Sequence, residues 1–188
     1  MAHIWNINSP IIKSTKIHHL MLDTNILLDV FYSNPSKRIT SREISYQNFV
    51  STCLSKKIPL FTTEFNIYEC FHVIENINKD LYNKSLTLKE YHKVKKEKEK
   101  VHQDFKIVYT AIKNAITVLP ASLSNNEIME YINFTDAFYD LYDFALLKIA
   151  EQNHIKYILT NDSDFCSNMK YIEPFEIFTQ NTQMLNIT

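Results

Sequence analysis

The chain contains no glycine in 188 residues, and that one absence removes whole families of mechanism. A Walker A loop, a dinucleotide-binding fingerprint and a nucleophile elbow each need glycine where the backbone turns tightly or passes close to phosphate. P-loop, Rossmann-cofactor and lipase-like chemistries are therefore excluded, and every turn has to be made by residues that carry a Cβ.

The side-chain inventory narrows the field further. Twenty basic against 21 acidic residues give a formal net charge of −1, so the chain is neither a polybasic coat protein nor an acidic tail. Of the basic residues 18 are lysine, and only Arg38 and Arg42 are arginine, which leaves little bidentate chemistry for gripping phosphate. Cys53, Cys70 and Cys166 are far apart, with no CxxC pair and no histidine at metal spacing, and read as small core residues. The start lacks a basic segment followed by an apolar run, and no stretch of about 18 apolar residues occurs. The expectation is a soluble, cytoplasmic protein without membrane contact, built as one domain over residues 1–188.

Hydrophobic periodicity predicts the order of elements. Residues 18–22 form a short apolar run ending at Asp23, after which Ile26, Leu27, Val30 and Phe31 recur at helical spacing. Ser33-Asn34-Pro35-Ser36 breaks the chain, a second helix carries Ile44, Phe49 and Leu54, and Leu60 to Thr62 is a second strand. Residues 64–78 bear a stripe of Ile67, Cys70, Phe71, Ile74 and Ile77, as a helix docked on a sheet should. A long, charge-rich helical stretch follows over about 79–115. Between Lys89 and Lys106 it holds seven lysines against four acids, a mixture that predicts a solvated helix. Ile116 to Leu119 is a third strand, 137–153 a strong helix with Tyr142, Leu146 and Ile149 on its core face, Tyr157 to Thr160 a further strand, and Glu176 to Thr179 the last. Alternating strands and helices imply a three-layer α/β/α sandwich around a mainly parallel twisted sheet, with ligands outside the carboxyl ends of its strands.

Two of those strands end on acids, Asp23 and Asp162. If both are parallel members of one sheet, the two carboxylates emerge at one edge. Each also has a plain structural reading: Asp23 as the cap of the following helix, Asp162 as the pivot of an Asx-turn. Glu69 lies on the shoulder of the stripe on helix 64–78, and Asp143 on the edge of helix 137–153, with Asp140 and Asp136 further up that edge. Like charges about 4 Å apart repel by roughly 4 kcal/mol at an effective dielectric of 20. Several such pairs weigh heavily on a domain whose stability is about 5–15 kcal/mol. A cluster of these acids must protonate in part or bind a cation. Oxygen ligands without histidine or cysteine favour Mg²⁺ or Mn²⁺, and that pairing suits phosphodiester hydrolysis.

The segments Met21-Leu22-Asp23-Thr24-Asn25-Ile26-Leu27-Leu28-Asp29, Thr63 to Glu69, Asp143 to Ala150 and Ile158-Leu159-Thr160-Asn161-Asp162-Ser163-Asp164-Phe165 resemble the PIN domain family over about 18–179. These are metal-dependent ribonucleases, among them the toxins of many bacterial toxin–antitoxin pairs. The resemblance implies an acidic quartet of Asp23, Glu69, Asp143 and Asp162 as catalytic and metal-binding residues. It also implies Asp164 as a further metal-binding acid, and Thr24, Asn25 and Thr160 as supporting groups that orient carboxylates. It implies Mg²⁺ (or Mn²⁺) as cofactor and single-stranded RNA as substrate. Cleavage with a metal-activated water would leave 5′-phosphate and 3′-hydroxyl ends. For the toxin branch it implies an antitoxin-like protein partner, and for many relatives a homodimer.

The chain is longer than the compact toxins, mainly through the Lys-rich stretch at about 79–115, which either guides RNA backbone or serves as a solvated arm or docking surface. His72 and the pair His18-His19 read as structural. Two other functions compete. A haloacid-dehalogenase-type phosphatase also opens with a strand ending in Asp, but it wants a second Asp two positions on, where this chain has Asn25. A non-catalytic PIN-fold binding module would keep the fold with a weak or empty metal site.

Overall fold

The apolar runs that end at Asp23 and Asn161 lie side by side in the middle of a six-stranded sheet, in a computed structural model that describes residues 3–9, 17–33, 38–133, 140–166 and 174–186. The strands are β1 (His3–Asn6), β2 (Leu20–Leu22), β3 (Leu60–Thr63), β4 (Thr117–Leu119), β5 (Tyr157–Leu159) and β6 (Glu176–Thr179). Their spatial order is β1-β6-β5-β2-β3-β4, and every pairing is parallel. The chain builds outward from β2 through β3 to β4, then returns to place β5 on the other side of β2. The gap between β2 and β5 is thus a topological switch point, where a crevice opens at the carboxyl edge.

Strand side chains alternate between two cores. Leu20, Leu22, Leu60, Leu159 and Phe178 point to one, and Met21, Ile158 and Ile177 to the other. Both faces are covered, which is why the central strands read as continuous apolar runs. The first face is covered by α1 (Thr24–Phe31), α2 (Ser41–Ser55), α3 (Glu64–Asn83) and α5 (Lys95–Ala115), and the second chiefly by α7 (Leu141–Gln152) and α8 (Thr182–Leu185). The short α4 (Leu88–Tyr91) joins α3 to α5, and α6 (Asn125–Ile132) packs against α7.

Several expectations are corrected. β1, α6 and α8 were not foreseen, nor was the 3-10 turn Ser163–Cys166. The second helix stands where expected as α2, which carries Ile44, Phe49 and Leu54 and buries Tyr46, Val50 and Cys53. On α7, Tyr142, expected on the core face, is exposed and meets the Phe65 ring edge-on. The helical stretch after α3 is solvated on one side only. Val101, Val108 and Ile112 are buried, and α5 packs on α3 and α1, so it is a docked helix. The predicted break at Asn34, Pro35 and Ser36, the start of helix 137–153 at residues 137–139, Asp136, and the Cys166 side chain lie outside what is described.

The glycine-free turns have a visible solution. Lys57 and His154, at φ 56° and 54°, occupy the left-handed region just after α2 and α7. In each case the following isoleucine amide reaches back to the helix: Ile58 N–H to the Cys53 carbonyl (3.0 Å) and Ile155 N–H to the Ala150 carbonyl (2.8 Å). These are Schellman closures, built without the residue that usually occupies them.

Candidate active site

Asp23 is the first residue past β2, in extended conformation (φ −80°, ψ 163°), and it caps α1. The structural reading of this residue is therefore correct, and it coexists with a place in the crevice. The carboxylate is 4% exposed and takes four hydrogen bonds. Oδ1 accepts from the Thr24 amide (2.6 Å) and the Asn66 side chain (3.4 Å). Oδ2 accepts from the Asn25 side chain (2.6 Å) and the Thr160 hydroxyl (2.7 Å). Burial pushes this carboxyl up to about 7; the Thr160 and Thr24 bonds oppose the rise, and Glu69 and Asp162 add to it.

Glu69 is half-buried on α3 and accepts a hydrogen bond from the Thr24 hydroxyl. Burial raises its carboxyl, the Thr24 bond restrains it, and repulsion from Asp140 and Asp162 adds to the rise; His72 nearby lowers it a little. Asp162 follows β5. Its amide is held by the Thr160 hydroxyl (2.9 Å), and its Oδ1 accepts from the Asp164 amide (2.9 Å), which is the foreseen Asx-type turn.

Asp143 sits in the first turn of α7, whose cap is Asp140: the Asp140 carboxylate accepts from the Tyr142 and Asp143 amides at 2.8 and 3.0 Å. A helix N-terminus favours a carboxylate by about 0.3–1 kcal/mol, and here that is outweighed. Burial raises Asp143 to about 9, and repulsion from Asp23, Asp140, Asp162 and Glu69 adds to it. Burial and repulsion, the dominant influences on this acid, act in the same direction. Among the described residues, no ion pair takes up any of these carboxylates.

The acids line one cleft of about 180 Å³ at the β2/β5 switch point, where Asp23, Glu69, Asp140, Asp143, Asp162 and Asp164 meet. Thr24 and Asn25 line it as well; Thr160 lies beneath, touching Asp23, Asn25 and Asp162 through one hydroxyl. Asp164 is exposed at the rim, its carboxyl raised by slight burial, Asp162 and Asp140. The residues expected to converge are thus brought to one place. Yet among the described residues no three acidic, histidine or cysteine side chains stand close enough together to hold a metal ion as they are. Hydrogen bonds to Thr24, Asn25 and Thr160 engage the Asp23 and Glu69 carboxylates.

Asp140, placed by the sequence on the same edge as Asp143, enters the cleft while capping α7. Sequence reasoning missed two contributors. Asn66, fully buried, accepts from Thr63 and donates to Thr24 (2.9 Å) and Asp23, tying the start of α3 to the start of α1. The Tyr46 hydroxyl, buried on α2, donates to Asn161 Oδ1 (3.0 Å) and accepts from the Gln180 amide (3.0 Å), fixing the loop that carries Asp162. Nothing in the sequence pattern distinguishes Tyr46 from an ordinary core aromatic.

Fold and cleft together describe a PIN-like α/β/α protein with an acidic crevice at its switch point. The family model described as PIN domain matches residues 20–169, most of the chain, and the protein belongs to the PIN domain family. Proteins of this family are generally nucleases, usually metal-dependent. Among curated proteins none matches the chain. No helix among the described residues is long and apolar enough to cross a membrane.

Proposed function

We propose that the chain is a metal-dependent endoribonuclease acting on single-stranded RNA, with Asp23, Glu69, Asp143 and Asp162 as its catalytic acids. The observation that carries this reading is Asp143, a partly buried carboxyl raised to about 9 first by desolvation and then by repulsion from four neighbouring acids, with no ion pair to offset them among the described residues. A fold retains such an arrangement at a cost, and a divalent cation is the ligand that removes it.

The donor set fits such an ion: among the described residues the cleft wall offers hard oxygens, with no thiolate or imidazole. Asp23, Glu69, Asp143 and Asp162 would hold Mg²⁺ or Mn²⁺, with Asp164 at the rim, once their side chains swing inward. When bound, the ion supplies positive charge for the phosphodiester's developing negative charge and a more acidic water. The chain's own part is to orient and exclude. Thr160, Asn25, Asn66 and the Thr24 amide fix both oxygens of Asp23, and Tyr46 with Asn161 fixes the Asp162 loop. Asn25 donates to Asp23 and accepts from the Asn161 amide (3.0 Å), so it is an orienting group, which argues against phosphatase chemistry needing an acid there.

Membership of a toxin–antitoxin pair is part of the proposal, with a small protein partner expected to cover the cleft. The test is Mn²⁺-dependent cleavage of a single-stranded oligoribonucleotide by the full chain, lost in Asp23→Asn and Asp162→Asn proteins that still fold. Cleavage at the parent rate by both variants would overturn the reading and leave a binding module.

A further inference from the structure

We propose that the aromatic groove between α3 and α5 is a stacking subsite for single-stranded RNA, receiving bases of the strand whose phosphate lies in the acidic cleft. The inference rests on the nuclease reading above and extends it to a second surface.

The groove has a volume of about 340 Å³ and is lined chiefly by Ile67, Tyr68, Phe71, Phe105, Tyr109 and Val118. Its aromatic rings form a ladder. Phe71 and Phe105 lie 4.5 Å apart, Phe105 and Tyr109 lie 6.0 Å apart and within 17° of parallel, and His102 stands 5.8 Å from Phe71 at the other end. Glu64, also at the wall, has its carboxylate engaged by the Ala121 amide (2.9 Å). The Phe71, Phe105 and Tyr109 rings are half-buried and border the groove, and aromatic rings along a groove are the sequence-tolerant platform on which unpaired bases stack.

Charge complementarity selects nucleic acid as the occupant. At about 100° per residue along α5, Lys98, His102, Lys106 and Lys113 fall on the side that bears Phe105 and Tyr109, and all four are exposed. The Lys113 ammonium stands 5.9 Å over the Tyr109 ring. The acids Glu97 and Asp104 turn the other way, toward Tyr91 and Tyr32, whose hydroxyls they push up after burial has done so. Glu99 shares the cation side, paired with Lys95 (3.9 Å), and Lys96 and Lys100 lie opposite, yet the side that bears the rings keeps a positive surplus in Lys98, Lys106 and Lys113. That surplus suits a polyanion carrying flat bases, and a purely apolar protein segment would have no use for the lysines.

The path to the cleft runs across α3. Glu69 faces the acids, Phe71 faces the groove, and Tyr68, 59% exposed, stands on the solvent side between them next to His72. One helix therefore presents the cleft on one side and the stacking ladder on the other, so a strand crossing it touches both.

The test uses the full chain with Asp162→Asn to stop cleavage, and measures binding of fluorescent single-stranded oligoribonucleotides of about 12 nucleotides against salt. Tyr109→Ser should weaken binding by roughly fivefold to a hundredfold, the range for loss of one stacked base. Lys106→Glu with Lys113→Glu should lower the salt slope by about 1.4, at roughly 0.7 per phosphate contact on a single strand. Photocrosslinking of an iodouridine-substituted oligonucleotide to Phe105 or Tyr109 of the chain without groove substitutions supports the groove independently of how the variants fold. Unchanged affinity and slope in the folded variants, with RNA still cleaved by the chain that keeps Asp162, would overturn the subsite and leave the nuclease reading intact. So would a change in oligomeric state alone, because it would make the groove a protein interface. Absence of any cleavage or RNA binding by the parent chain would instead sink the nuclease reading on which the subsite rests.

Discussion

Replacing Asp143 by asparagine should stabilise the metal-free protein at neutral pH while abolishing cleavage. In the fold this carboxyl stays protonated up to about 9, against an ordinary value of 3.8. Because its folded pKa lies above its unfolded one, the stability it allows is fully present below about pH 4 and is lost as pH rises through about 9. At about 1.4 kcal/mol per pH unit, keeping it neutral at pH 7 while the unfolded chain ionises costs up to about 4 kcal/mol. Proton sharing with Asp23 and Glu69 reduces this to about 1–3 kcal/mol for one substitution. Asparagine keeps the shape and never ionises, so that amount should be recovered at pH 7 and almost none at pH 4. Urea unfolding in EDTA at pH 4, 7 and 8 reads the difference directly. The parent should lose stability from pH 5 to pH 8 more steeply than the variant. Equal slopes, or a variant less stable than the parent at pH 8, would refute the claim that the acids destabilise the fold when EDTA withholds a cation.

Other outcomes follow from the same structure. Tyr46→Phe removes the hydroxyl between Asn161 and Gln180, costing about 1–3 kcal/mol for two lost hydrogen bonds; steady-state kinetics should show a fall mainly in kcat, with KM little changed. Asn66→Ala takes a donor from Asp23, which should rise above about 7 and move the acid limb of the pH–rate profile to higher pH. Lys57→Gly and His154→Gly relieve left-handed backbone at two separate helix ends, and each should add about 1 kcal/mol in urea unfolding, additively.

The parts of the fold that the sequence shows are those in which packing imposes a period. The runs at residues 20–22, 60–62 and 157–159 are buried on both faces, and the stripe of α3 sits on the sheet, so apolar spacing reports them. β1 lies at an edge, and His3-Ile4-Trp5-Asn6 has no alternation to report it. α6 buries none of its residues, and its visible sign was a capping box, Ser124 with Glu127, in place of a stripe. The acids were legible because two end strands and two sit on helix shoulders. Asp140 stood on the same edge as Asp143 without a role, since a capping residue looks the same whether it faces water or a cleft, and Asn66 was not legible, since a single buried amide leaves no periodic mark. The positive surplus beside the rings of α5 was hidden too: composition records six lysines and three acids on this helix, and only the docked face reveals that Lys98, Lys106 and Lys113 fall beside Phe105 and Tyr109.

The most direct test is calorimetric titration of Mn²⁺ into the full chain at pH 6 and 8, in buffers of differing ionisation heat. If the acids meet around one ion, about one Mn²⁺ should bind and displace protons from Asp143 and Asp23. More protons should be released at pH 6 than at pH 8, and Asp23→Asn should abolish binding. An absence of Mn²⁺ binding at either pH, or binding that survives Asp23→Asn with the same proton release, would contradict the account.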